Sequence, residues 1–153
     1  MTLLDILIEK TICADLKATD RDKAIGELLE LLVEAGQLSQ DQSPSVMKAI
    51  LDREAMGSTA IGRGVAVPHA RSDSLSSTIM SLGLSSSGVD FHALDGEPVH
   101  AIFLVVGPGA APNEYLAVME KLSKLIRNSD FRRFLRRADT SREVLELIEE
   151  MGT

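Results

Sequence analysis

The stretch GSTAIGRGVAVPHA, residues 57–70, restricts the fold of this chain more than any other. Three glycines and a proline punctuate its fourteen residues. In a helix interior each glycine costs about 1 kcal/mol and a proline about 3, so a helix is excluded. Turns and short strand are left. Val65, Ala66 and Val67 read as a strand that stops at Pro68, which has no N–H to donate. Whatever surrounds this segment must be built to hold an irregular, glycine-rich loop in place.

Regular patterns lie on both sides. Residues 11–16 read as a short strand or extended entry. Asp20 caps a predicted helix to about Ala35, with Ala24, Leu28, Leu31 and Leu32 at helical spacing and Gly36 as its stop. Ser43 as cap and Pro44 at the first position open a second helix, carrying Val46, Met47, Ile50 and Leu51. It ends near Met56 and Gly57. Beyond the loop, residues 78–84 and 99–106 are predicted strands, the latter apolar enough for burial on both faces. Leu94, Asp95 and Gly96 supply the turn chemistry between them. From Pro112 the chain is helical to about Arg127, with Leu116, Met119, Leu122, Ser123 and Ile126 as the expected buried stripe. A short helix around residues 131–137 follows, and Thr140 with Glu143 forms a capping box for the last one. Helices at both ends with strands between predict one α/β domain over residues 1–153, a small mixed sheet covered by helices on both faces.

Composition removes several functions. Sixteen basic residues against 23 acidic give a net charge of −7, a field that repels nucleic acid and anionic membranes. Aromatics are 3% of the chain, with no Trp and one Tyr, so base-stacking platforms are not expected either. Residues 121–137 oppose the trend with seven Lys or Arg and one acid, Asp130. Such a run is ordinarily a solvated helix face, though it would also attract an acidic partner. Cys13 stands alone and cannot close an internal disulfide. The N-terminal residues are acidic where a signal peptide is basic, and the apolar run at 101–106 is far below the ~18 residues of a membrane span. A cytoplasmic protein without membrane insertion is expected.

The three histidines, His69, His92 and His100, lack the three- or four-residue spacing of a zinc site, so no metal or other cofactor is predicted. His100 reads as a partly buried, hydrogen-bonded ring at a strand start, and His92 as an exposed turn residue. His69 follows Pro68 at a strand end. Before it stand Ser58, Thr59, Gly62 and Gly64, hydroxyls and glycines whose donors can approach an anion closely. Arg53 and Arg71 bracket the segment with guanidinium forks suited to phosphate oxygens. These are the parts needed for phosphoryl transfer to a histidine. Glycine-rich loops ordinarily make tight turns, however, and a lone histidine after a proline is ordinarily exposed. Spacing alone leaves both readings open. The segment is neither a Walker loop nor a dinucleotide fingerprint.

Taken whole, residues 52–70, DREAMGSTAIGRGVAVPHA, closely resemble the signature of the fructose/mannitol-type enzyme IIA domains of the bacterial phosphoenolpyruvate-dependent phosphotransferase system. The resemblance continues through Val89, Asp90 and Phe91, through residues 94–99 and the apolar strand, to the C-terminus. It looks most like the nitrogen-regulatory branch. It implies the mannitol-type IIA fold, His69 as phosphoacceptor from an HPr-like phosphocarrier protein, and Arg53 as the arginine that steadies loops and phosphoryl group. It places Ser58 and Thr59 at the hydroxyl positions beside the site, and it implies regulatory target proteins as partners. A IIA component of a sugar permease and a transfer-deficient binding module are the alternatives. One position departs from the family. Where its members usually carry a second histidine, in a motif resembling NEH, this chain reads Asn113-Glu114-Tyr115-Leu116. A phenol donates a hydrogen bond but does not become a cation near neutral pH. Tyr115 is expected at the site as the replacement of that histidine.

Overall fold

Ten residues of β6, Val99–Pro108, are the spine of the molecule. In the computed structural model, which describes residues 2–110 and 112–152, β6 is buried along almost its whole length. The other strands are β1 (Ile12–Cys13), β2 (Ala60–Gly62), β3 (Val65–Ala66), β4 (His69–Ser72) and β5 (Ile79–Val89). The sheet order is β1-β5-β6-β3-β2, with β4 also on β6. β5 and β6 are antiparallel, and β1 runs parallel to β5. β3 and β4 both run parallel to β6 in one register: Val65 opposes Ala101, His69 opposes Val105 and Ser72 opposes Pro108. The strand expected to stop at Pro68 therefore resumes beyond it, because the ladder needs only the Pro68 carbonyl, which accepts from the Val105 N–H at 3.0 Å.

Alternation along β6 sorts the core into two layers. Ala101, Phe103 and Val105 pack with the C-terminal helices α3 (Asn113–Arg127), α4 (Ser129–Arg137) and α5 (Ser141–Met151). Ile102, Leu104 and Val106 pack with α1 (Arg21–Glu34) and α2 (Ser43–Ala55) on the other face. Leu28, Leu32 and Ile50 are fully covered there, each such side chain contributing about 1.5–3 kcal/mol. Among the described residues no helix is long and apolar enough to cross a membrane.

Several element ends follow local chemistry. The Asp20 carboxylate accepts from the Lys23 N–H at 2.9 Å, and Thr140 accepts from the Glu143 N–H at 3.1 Å. α2 starts differently from expectation. Ser43 is its first residue rather than its cap. Ser39 and Gln42 instead bond each other's backbone N–H groups reciprocally one turn earlier. The expected stripe of α3 is rotated too. Tyr115, Val118, Leu122, Leu125 and Ile126 are buried, whereas Leu116 is 57% exposed. The serine within the expected stripe was the sign of a second, wetter surface. β1 is shorter than residues 11–16, since a 3₁₀ turn, Glu9–Thr11, occupies the approach to it.

Candidate functional site

The edge of the sheet at residue 67 determines the state of His69. Ala60 opposes Ala66 in the β2–β3 hairpin, so Thr59 opposes Val67. The Val67 N–H donates to the Thr59 carbonyl at 3.1 Å, which makes this the kind of pair that ordinarily exchanges two hydrogen bonds. The return bond is absent. The Thr59 N–H turns to Glu54 Oε2 at 3.3 Å, and the Thr59 hydroxyl donates to Glu54 Oε1. The Val67 carbonyl is thereby released and meets His69 Nδ1 at 2.7 Å. A carbonyl only accepts, so Nδ1 carries the proton and Nε2 the lone pair.

Glu54 is 3% exposed and Thr59 6%. An acid in the last turn of a helix opposes the helix dipole. That misfit in α2 was a sequence signal of a specific role, and sequence reasoning passed over it. The neighbouring Arg53 donates from Nη1 to the Gly57 carbonyl at 3.0 Å and fastens the start of the loop to α2. Ser58 does the same from within: its hydroxyl donates to the Phe91 carbonyl at 3.1 Å and accepts from the Ala60 N–H. Both hydroxyl protons expected to face an anion thus hold the loop.

An open cavity of about 650 Å³ adjoins His69. Arg53, Ser58, Thr59, Gly62 and Val67 line one side, and Met119, Ser123, Ile126, Arg127 and Arg132 the other, with Arg63 at the hairpin tip. No carboxylate is among the described residues that line it. Gly62 takes φ +88°, and a side chain there would press on the Asp95 carboxylate, which accepts from the Arg63 N–H at 3.2 Å. Gly64 does not line the cavity. Its carbonyl accepts from the N–H groups of His100 and Ala101, tying the hairpin to β6. His100 bonds the Ser85 carbonyl through Nδ1 at 2.8 Å, and His92 is exposed, as read from the sequence.

Tyr115 is buried beside this cavity rather than lining it. Its ring covers Gly107, which opposes Arg71 on β4, two residues along from the His69 pairing. Burial pushes the phenol pKa up, while the charges of Arg71 and Arg53 pull it partly back. The group is a neutral phenol across the physiological range.

An imidazole with a fixed lone pair, next to guanidinium groups and no carboxylate, can hold a phosphoryl group covalently and offset its charge. This is the chemistry of a phosphohistidine carrier. The chain matches the family described as phosphoenolpyruvate-dependent sugar phosphotransferase system, EIIA 2, over residues 5–151, and it belongs to that family. It is a phosphotransferase component of the EIIA type.

Among relatives, it is 31% identical over 98% of its length to the fructose-specific EIIABC component of Bacillus subtilis, of which it spans only 23%. The nitrogen regulatory protein IIA-Ntr of Neisseria meningitidis superposes with a TM-score of 0.84 at 29% identity, covering 94% of this chain and 97% of that one. For IIA mannitol of Escherichia coli the values are 0.75, 25%, 91% and 96%. The mannitol-type IIA fold expected from the sequence is the fold observed.

Proposed function

We propose that the chain is a transient phosphohistidine carrier of the nitrogen-regulatory type, with His69 as acceptor. The observation that carries this reading is the Val67–His69 hydrogen bond, which leaves Nε2 as the nucleophilic nitrogen beside Arg53. Nε2 attacks the phosphorus held on the histidine of an HPr-like carrier. The new N–P bond forms as the old one breaks in line, and the donor imidazole leaves with the electron pair. The proton stays on His69 Nδ1. The ring then bears positive charge, so its hydrogen bond to the Val67 carbonyl strengthens as the bond to phosphorus forms. Arg53 offsets charge on the phosphoryl oxygens, and no metal or cofactor is needed. The output is phosphorylation-dependent contact with regulatory target proteins in the cytoplasm.

The nitrogen-regulatory assignment is supported by the higher TM-score to the Neisseria protein. The 31% identity to a fructose-specific component favours a second reading, a IIA that hands phosphoryl to a IIB partner of a sugar permease. Incubation with phosphoenolpyruvate, enzyme I and the HPr-like carrier of the same organism is expected to add one acid-labile phosphoryl group, absent in His69→Ala. Unmodified wild-type protein under those conditions overturns the proposal. Sugar uptake that depends on this protein selects the second reading.

A further inference from the structure

A second cavity, of about 450 Å³, opens where the bulge of β5 meets the end of α4, and it shares no lining residue with the one beside His69. Its size is within the ~300–1,000 Å³ of small-molecule sites. His100, Arg136, Asp139 and Asp15 bring polar groups to it, and Leu84 and Leu135 add apolar lining.

His100 is held as a hydrogen-bond acceptor. Its Nδ1 meets the Ser85 carbonyl at 2.8 Å, and a carbonyl only accepts, so the proton of the neutral ring sits on Nδ1. Nε2 keeps the lone pair, has no partner among the described residues and is not sealed from solvent. The ring lies between two glycine backbones. A Cβ would stand 3.3 Å from Cε1 at Gly88 and 3.7 Å from Cδ2 at Gly64. The same point at Gly64 is 3.8 Å from Arg136 Nη1, which puts the guanidinium beside the imidazole.

Arg136 and Asp139 carry opposite charges three residues apart, yet no ion pair joins them. Within α4 the same spacing pairs Asp130 with Arg133 at 3.0 Å. Ala138 leaves the helix at ψ 133° and carries Asp139 off the helical position. Among the described residues neither charged group meets a partner. Asp15, the other acid of the cavity, is engaged by Lys17 at 2.9 Å.

We propose that this cavity binds a free α-amino acid. The ligand carboxylate meets the guanidinium fork of Arg136, whose parallel N–H groups match its two oxygens. The ligand ammonium donates to His100 Nε2 and to the Asp139 carboxylate. A simple anion fits worse, because Asp139 and the His100 lone pair would face it. A simple cation fits worse, because Arg136 would. A ligand bearing both charges gives each of the three groups its complement.

The test is NMR of the full chain, titrated at neutral pH with each of the twenty standard L-amino acids up to about 2 mM. The His100 ring signals are expected to shift with at least one of them, with a Kd below about 1 mM. For the tightest ligand, Arg136→Gln and Asp139→Asn, both at exposed positions, are each expected to raise Kd about tenfold or more. Its primary amide and its N-acetyl derivative, which lack one charge each, are expected to bind as weakly. No shift at His100 with any of the twenty overturns the proposal, as does unaltered affinity in either variant. A derivative that binds as well as its parent also overturns it, by marking a site for a simple cation or anion. None of these outcomes bears on the phosphocarrier reading, which rests on His69.

Discussion

Thr59 gives both its amide and its hydroxyl proton to the buried carboxylate of Glu54. Through that pair, a residue on α2 controls the ring of a histidine it does not touch. With the Thr59 N–H engaged, the Val67 carbonyl is left for His69 Nδ1.

Removing the carboxylate is therefore expected to change the histidine. In Glu54→Ala the Thr59 N–H is free to complete its pair with Val67 and compete for that carbonyl. Ring-nitrogen NMR shifts of His69 should show a smaller Nδ1–H fraction, and phosphoryl transfer should slow by about tenfold or more. The buried donors left without an acceptor cost about 2–3 kcal/mol in urea unfolding. Glu54→Gln, which keeps one acceptor oxygen, should recover part of both. A His69 tautomer identical in all three proteins would rule out this route of control.

Arg53 is expected to act by geometry as well as charge. Its fork reaches the Gly57 carbonyl while adjoining the cavity, which a lysine cannot reproduce with one point donor. Arg53→Lys should transfer phosphoryl about 10²-fold more slowly than wild type, in the range for loss of one oxyanion donor. Rates within a factor of two of wild type would show that charge alone suffices.

Tyr115 and Gly107 fit only as a pair. A methyl group on residue 107 would overlap the Tyr115 side chain. Gly107→Ala should cost about 1–3 kcal/mol by overpacking. Tyr115→Ala removes the two closest ring atoms and leaves only its Cβ, at 2.8 Å, so the double variant should be more stable than the sum of the single losses implies. Additive losses would contradict the contact.

The same tyrosine gives a pH prediction with a defined sign. It is the only Tyr, and Trp is absent, so phenolate absorbance reports Tyr115 alone. Burial raises its folded-state pKa, so above the unfolded value of about 10 the native state binds more protons than the unfolded one. Stability should then fall as pH rises through that range, and Tyr115→Phe should remove this part of the fall. Absorbance titration of the native protein with a midpoint at or below the free value would refute it.

Much of this was legible from adjacent residues. The caps at Asp20 and Thr140, the strand periods and the glycine loop leading to His69 are local signals, because each depends on groups a few residues apart. Arg53 could be named because it stands a few residues before the glycine loop, with a guanidinium fork suited to phosphate oxygens. The phase of α3 was misread, since Met119, Ser123 and Ile126 share a helix side that faces the cavity. Only the sheet could show which side met the core.

What the chain determines by itself is therefore the set of elements, the loop that no helix can absorb and the presence of an imidazole at its end. Tertiary structure alone decided the register that continues across Pro68, the diversion of Thr59 toward Glu54, the seating of Tyr115 on Gly107 and the convergence of Arg127 and Arg132 on the cavity. Each of these depends on which of several available partners a donor or a ring finds. That choice is made when α2 and α3 pack against opposite faces of the sheet that β6 centres, and residues distant in sequence then compete for one acceptor or one space.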